Sequence, residues 1–259
     1  MSPESVVKLL HPTIEASATI RMAIFEKIFM IKLFSTKIYI ICANSKLLTT
    51  FVVTIVVMKI KPPKIIRRLM PDLIWEIEDK EGVFLTFDDG PTPGVTEWIL
   101  KTLRKYNAKA TFFVLGKNAE MYPDLYQKIL DEGHKVGNHT YSHQKGWGMS
   151  LERYLEDVDF AGDIIHSELF RPPYARVTPS QVRAVAKRYK IVMWDIVSRD
   201  YNPALKPEKC LKNVTDHITA GSIVVFHDSE KAFKNMSYAL PRTLKKVKDM
   251  GLKCKIIEL

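Results

Sequence analysis

Residues 83–91 read Val-Phe-Leu-Thr-Phe-Asp-Asp-Gly-Pro. The first five form a charge-free, β-prone run of strand length, which predicts a strand buried on both faces. Two carboxylates follow at once, then Gly90, which permits a tight turn, and Pro91, which fixes it. Successive residues leaving a strand point in different directions, so Asp88 and Asp89 can do separate jobs. In isolation Asp-Asp-Gly reads as a surface turn; the surrounding sequence decides otherwise.

Outward from this stretch the same unit recurs. Residues 95–106 carry a helical stripe at Val95, Trp98, Ile99, Leu103 and Tyr106. Strand-like runs follow at 111–115, 135–138, 169–171, 191–194, 222–226 and 253–257, with helical patterns at 123–132, 151–169, 179–189, 207–219 and 238–250. Gly133 and Gly251 supply helix stops, and Thr178-Pro179 reads as an N-cap with proline in the first helical position. Short apolar strands alternating with helices predict an α/β fold with a parallel sheet covered on both faces. Seven such strands favour a barrel or near-barrel over an open sheet.

The polar residues fall where such a fold does chemistry. Asp88 and Asp89 end one strand, His139 and His143 follow a second, Arg171 and Tyr174 a third, Asp195 and Asp200 a fourth, and His227-Asp228 a fifth. In parallel α/β folds reactive groups gather at the carboxyl ends of the strands. Two imidazoles four residues apart can share a metal, and with Asp89 beside them they leave positions open for water, as in a catalytic zinc-type site. The remaining histidines, His11, His134, His166 and His217, sit in helix, loop or leader patterns and are expected to have surface or packing roles. Trp194 is expected to be core, and Asp195 and Asp228 to support the motif residues they adjoin.

Five segments taken in order, Thr86–Pro91, His139–His143, Arg171–Tyr174, Trp194–Tyr201 and Val224–Asp228, resemble the motifs of the polysaccharide deacetylases, the NodB-like carbohydrate esterases of family four. The resemblance runs from about residue 80 to 257. It implies a deformed (β/α) barrel of about seven parallel strands. It also implies Asp89, His139 and His143 as ligands of a divalent metal, zinc first, with cobalt, nickel or manganese as alternatives. Asp88 would be the general base, paired with Arg171; His227 the general acid, tuned by Asp200; and Tyr174 the donor of a backbone N–H to the oxyanion. The implied activity is hydrolysis of N-acetyl groups on amino sugars of a glycan or glycolipid, releasing acetate. Alternatives are an O-acetyl esterase, a deformylase of a lipid-linked sugar, or an inactive carbohydrate-binding relative. Two positions depart from the family pattern: Tyr201, where tryptophan is frequent, and Ala175, where glycine is common and a side chain tightens the backbone. Arg176, next along, is available to an anionic substituent.

The composition, 46% hydrophobic and 26% charged over 259 residues, excludes disorder for most of the chain. The net charge of +10 is scattered, without a basic stripe interleaved with aromatics, so nucleic acid is not an expected partner. Cys42, Cys210 and Cys254 form neither a disulfide framework nor a thiolate zinc site. Residues 1–57 read as foreign to the rest: no glycine, and apolar runs at 28–41, broken by Lys32 and Lys37, and at 47–58. The uncharged second run falls short of the ~20 residues a membrane span requires. The leading expectation is a start at Met58, with a catalytic domain over 58–259; a membrane anchor and a targeting segment are the alternatives. These readings place the domain in the cytoplasm or on the cytoplasmic face of a membrane, with membrane association through the leader or the basic surface. Oligomeric state is not legible.

Overall fold

The structure, a computed structural model, describes residues 60–62, 67–68 and 70–259, and the backbone of 32–33, 36–37, 39–43 and 50–54. The chain divides into two units, Met1–Val57 and Met58–Leu259. In the first, Lys32–Leu33 pairs antiparallel with Thr36–Lys37, and Tyr39–Ala43 with Thr50–Thr54. The rest of that unit, including about half of each apolar run, lies outside the described residues, and so do the expectations for the leader as a whole. Among the described residues no helix is long and apolar enough to cross a membrane.

The second unit is an α/β half-barrel. Its strands are β1 (Gly82–Asp88), β2 (Thr111–Val114), β3 (Lys135–Asn138), β4 (Leu169–Phe170), β5 (Lys190–Ile191), β6 (Ile196–Val197), β7 (Ile223–His227) and β8 (Lys253–Cys254). Seven run parallel in the order β6-β7-β1-β2-β3-β4-β5, and β8 pairs beside the start of β1. Of the strand expected at 191–194 only Ile191 belongs to a strand, β5, and the unexpected β6 begins at Ile196, because the chain bends between them from one sheet edge to the other. The Val192 N–H donates to the Phe170 carbonyl (2.8 Å), and three residues on the Asp195 N–H donates to that of Ile223 (3.0 Å). Residues 73–77 help close the base: Ile74 donates to Ile191 (2.9 Å) and accepts from Met193 (2.7 Å), while Ile77 donates to Gly221 (3.0 Å).

From residue 70 onward the strands are accompanied by helices α1 (Val95–Lys105), α2 (Gly116–Met121), α3 (Pro123–Asp131), α4 (Leu151–Gly162), α5 (Pro179–Val185), α6 (Pro207–Thr215) and α7 (Glu230–Asp249). Local sequence explains their starts. Pro123, Pro179 and Pro207 take the first helical position, and Thr178 and Gln181 form a reciprocal capping box. Five helices differ from expectation, α5 and α6 each ending four residues early. α2 is a short helix that the sequence pattern did not reveal, α4 stops seven residues early, and α7 begins eight residues early; Pro241 lies inside it, as in the expected helix. The packing of Ala232, Met236, Ala239 and Leu240 holds α7 together across the hydrogen bond that proline removes.

β1 is buried throughout and its faces alternate. Val83, Leu85 and Phe87 join the core beneath the helices, where Phe87 stacks on Phe112 (5.0 Å) and Phe226 (6.0 Å) in the neighbouring strands. Thr86 and Asp88, on the opposite face, bond to Arg171. The Arg171 guanidinium lies over the Phe113 ring at 4.0 Å. Gly137 in β3 pairs with Phe113, and a Cβ there would meet the ring at 2.5 Å. Gly137→Ala is therefore expected to cost about 1–3 kcal/mol of stability, as overpacking a buried site does, read as a lower urea midpoint with an unchanged slope.

Candidate active site

Five strand ends build the site. β1 delivers Asp88 and Asp89. The Asp88 carboxylate is buried, and Oδ1 accepts from Arg171 Nη1 at 2.7 Å. Asp89 turns away with φ 84°, held by Asn118 Nδ2, which donates to its carbonyl at 2.9 Å. The loop after β3 delivers His139 and His143, whose Nε2 atoms lie 3.7 and 3.1 Å from Asp89 Oδ1. One ligand atom from each of the three residues fits within 4.8 Å of the others.

This triad fits a divalent cation. Asp89 Oδ1 is buried and has no hydrogen-bond partner, an arrangement that leaves it available for coordination. His139 Nδ1 donates to the Arg171 carbonyl at 2.7 Å, which directs the Nε2 lone pair toward the triad. Burial pushes His139 down to about 4, against the pull of Asp88, so the ring is neutral as a ligand must be. Burial would raise Asp89, but His143 and the further imidazoles hold it well below the usual carboxylate range.

On the other side, β7 ends in His227. Its Nδ1 lies 2.8 Å from Asp200 Oδ1, and its backbone N–H donates to Oδ2 at 2.8 Å. Burial alone would lower His227, but the Asp200 carboxylate overrides it and the group is pushed up to about 9. Asn235 of α7 secures the Asp200 carbonyl at 2.9 Å. Tyr201 stands edge-on to His227 at 4.9 Å and Tyr174 tilts over His143 at 4.6 Å.

The structure thus brings together Asp88, Asp89, His139, His143, Arg171, Tyr174, Asp200 and His227. Asp195 departs from expectation. It lies at the opposite, amino-terminal end of β7, where Ser222 Oγ donates to it (2.8 Å) and Arg67 and Lys61 pair with it. The bend between β5 and β6 carries it there. Asp228 stays near: its N–H donates to the Asp88 carbonyl (2.7 Å), and Thr96 donates to its Oδ2 (2.7 Å). Trp194 is buried in the core, and His134 accepts the Ala110 N–H at 3.2 Å, a packing role. Sequence reading passed over Asn118, Asn138 and Asn235. Asn138, the last residue of β3, accepts the Thr140 N–H (2.8 Å) and donates to the Val158 carbonyl (2.9 Å), and its position directly before His139 was the legible signal.

Among the described residues, six of the seven non-glycine residues with positive φ lie in these strand-end loops: Asp89, Thr140, His143, Tyr174, Ala175 and Arg199. Such backbone is costly and clusters at functional sites. Ala175, with φ 53°, shows why glycine suits that position.

Comparison with known proteins agrees with this geometry. Residues 76–194 match the family model described as polysaccharide deacetylase. A peptidoglycan-N-acetylglucosamine deacetylase of Bacillus cereus is 32% identical over 187 residues, covering 68% of this chain and 87% of that protein. Another of the same name and species is 34% identical over 158 residues; there the match takes in 58% of this chain and 57% of the relative, so the chain spans little more than half that protein's length. Among solved structures, a peptidoglycan N-acetylglucosamine deacetylase superposes with a TM-score of 0.68 at 28% identity, over 72% of this chain and 91% of that one.

Two outcomes are expected from the site's ion pairs. Arg171→Met strands a buried Asp88 and is expected to cost about 3–5 kcal/mol in chemical denaturation. The His227 pKa is raised by folding, so its pairing with Asp200 contributes stability that is complete below pH 6.5 and lost as pH rises through about 9. In Asp200→Asn the His227 titration, followed by NMR on metal-free protein, is expected to move to lower pH, and that pH-dependent loss of stability to shrink.

Proposed function

We propose, from the premise that this chain belongs to the polysaccharide deacetylase family, that it hydrolyses the N-acetyl group of an amino sugar in a glycan and releases acetate. The observation that carries this reading is the partner-free Asp89 Oδ1 beside two imidazoles, flanked by one carboxylate pinned by a guanidinium and one imidazole backed by a carboxylate. The first suits a proton acceptor and the second a proton donor, which amide hydrolysis requires of one site.

Asp89, His139 and His143 hold the divalent metal in this reading, with zinc first among candidates by its mixed nitrogen and oxygen donors. When bound, that ion supplies Lewis acidity toward the acyl oxygen and lowers the pKa of water. Asp88 then takes a proton from the attacking water. Arg171 occupies its Oδ1, which leaves Oδ2 as the accepting atom. Water adds to the acyl carbon, and the Tyr174 N–H, which has no hydrogen-bond partner among the described residues, stabilises the resulting oxyanion. His227 carries its proton at neutral pH and, with Nδ1 committed to Asp200, delivers it from Nε2 to the leaving nitrogen. The C–N bond breaks to give acetate and a free amine. Trp194 is buried away from this chemistry, whereas Tyr201 and Tyr174 present partly exposed rings that suit a sugar face.

The test is acetate release from N-acetylated chito-oligosaccharides by the full chain, stripped with chelator and then given zinc or cobalt. The expected result is activity restored by metal and lowered about 10²- to 10⁴-fold in Asp88→Asn, the range for loss of a general base. Folded, metal-loaded protein that releases no acetate from any N-acetylated glycan would overturn the reading.

A further inference from the structure

A cavity of about 390 Å³ is formed by α6, the turn that follows β6, and Ile60 and Lys61. That volume lies within the range of small-molecule sites. Ile60, whose carbonyl accepts the Val197 N–H at 3.0 Å, and Leu205 give the cavity apolar walls. The rest of its lining is largely cationic: Lys61, Arg199 and Lys209, with His217. Lys61 is committed in part, its Nζ 3.0 Å from Asp195 Oδ2. Among the described residues, Arg199 and Lys209 form no ion pair, and no group accepts from the Arg199 guanidinium. The nearest acids in sequence, Glu208 and Asp216, are exposed. His217 Nδ1 is buried and has no hydrogen-bond partner among the described residues. Exposed helix lysines ordinarily do no more than face solvent. Here a half-buried guanidinium and a buried ring nitrogen, both without partners, line one cavity with two ammonium groups, and polar groups left unmatched in this way invite a ligand.

The cavity shares a piece of chain with the candidate active site. Arg199 directly precedes Asp200 and has φ 62°. Its carbonyl accepts the Asn202 N–H at 3.1 Å, and the Asn202 carbonyl accepts the Leu205 N–H at 3.0 Å. Asn213, also on the cavity lining, donates from Nδ2 to the Ser198 carbonyl at 2.9 Å, and Ser198 Oγ accepts the Asp200 N–H at 3.3 Å. Asp200 itself is fully buried, with Oδ1 2.8 Å from His227 Nδ1. One turn, residues 198–205, thus gives Arg199 and Leu205 to the cavity and Asp200 to His227.

We propose that this cavity is a second binding site, one that takes a small phosphate monoester, and that its occupant restrains the turn carrying Asp200. A phosphate monoester matches the lining better than a carboxylate does. It brings close to two negative charges and three strong acceptor oxygens to a guanidinium fork, an ammonium and an imidazole. Its organic part fits against Ile60 and Leu205, in a space larger than a bare phosphate fills. Once Arg199 is held by the ligand, opening of the turn requires the ligand to leave, so binding and the order of residues 198–205 are linked. The site is separate from the acyl-transfer chemistry proposed above and does not depend on it.

The experiment uses the full chain stripped with chelator, so that no metal competes for the anion. Calorimetry measures the binding of four probes: phenyl phosphate, inorganic phosphate, benzoate and neutral benzyl alcohol. Phenyl phosphate is expected to bind most tightly and benzyl alcohol most weakly, with the difference shrinking as salt is raised. Arg199→Gln and Lys209→Gln are each expected to weaken phenyl phosphate about tenfold, the loss of one charge-assisted contact. Lys212→Gln removes the same charge from an exposed position of α6 outside the cavity and is expected to leave binding unchanged. Because Arg199 adjoins Asp200, Lys209→Gln on the helix keeps the test decisive if Arg199→Gln disturbs the turn. Hydrogen exchange of the Asp200, Asn202 and Leu205 amides is expected to slow about tenfold with phenyl phosphate at about ten times its Kd. No binding of phenyl phosphate, or equal weakening by Lys209→Gln and Lys212→Gln, would overturn the site. Binding that leaves exchange in the turn unchanged would overturn the restraint. Neither readout involves acetate release, so failure of the deacetylase assay and failure of this proposal are distinguishable.

Discussion

Everything in the candidate site hangs on Arg171, a charged side chain with no exposure to solvent. Stripping water from a guanidinium is tolerable only when its donors find partners, and here they do. Nε donates to the Val192 carbonyl, Nη2 to that of Met193, and Nη1 to Thr86 Oγ1 and Asp88 Oδ1, at 2.7–3.0 Å. Burial pulls its pKa down and Asp88 opposes that pull, so the guanidinium and the carboxylate hold each other in place as ions. The same residue uses its carbonyl to orient His139. One side chain therefore ties β1 to the bend after β5, and one residue links Asp88, the proposed base, to His139, a proposed metal ligand. A displacement of Arg171 would move two functional groups at once.

Around this anchor the strand-end loops carry most of the strained backbone of the described residues, and four of the six strained positions there have a local clamp. Asn118 holds the Asp89 carbonyl, Asn138 takes the Thr140 N–H, and the Gly146–Arg176 hydrogen bond ties down the turn containing Tyr174 and Ala175. The buried sheet lets these loops hold conformations that they would leave in isolation. Function is concentrated where the chain is least comfortable, and the asparagines and glycines that make this tolerable belong to the site as much as its ionisable groups do.

The parallel core was legible because central strands buried on both faces have no polar alternation to confuse the reading, and residues 83–87 are the clearest case. The eight residues of the site were legible because reactive groups collect at strand ends, and because the five segments resemble a known family. What escaped has physical causes. The strand expected at 191–194 ends early and β6 was passed over because the bend between β5 and β6 is set by hydrogen bonds to Phe170 and Ile223, which are remote in sequence. The same bend carried Asp195 to the wrong end of the barrel. The first two turns of α7 were missed because what holds them, the burial of Ala232, Asn235 and Met236, is tertiary. The clamping asparagines were passed over because a single amide has no spacing pattern to betray it.

Asp228 shows how the charges of the site are kept compatible. Asp88 and Asp89 are adjacent in sequence, and a third carboxylate behind them would add to their mutual repulsion. Asp228 is that third carboxylate: it is fully buried, and a Cβ on Gly90 would stand 2.1 Å from its Oδ2. Burial, against a hydrogen bond from Thr96 and with the charge of Asp89 adding to it, pushes its pKa up to about 8, so at neutral pH it carries a proton. The neutral acid still connects β7 to the Asp88 turn through its backbone N–H and receives Thr92 Oγ1 at its carbonyl. Two anions with opposed duties, one paired with a guanidinium and one facing two imidazoles, can stand side by side because the third carboxyl group at their back is not an anion.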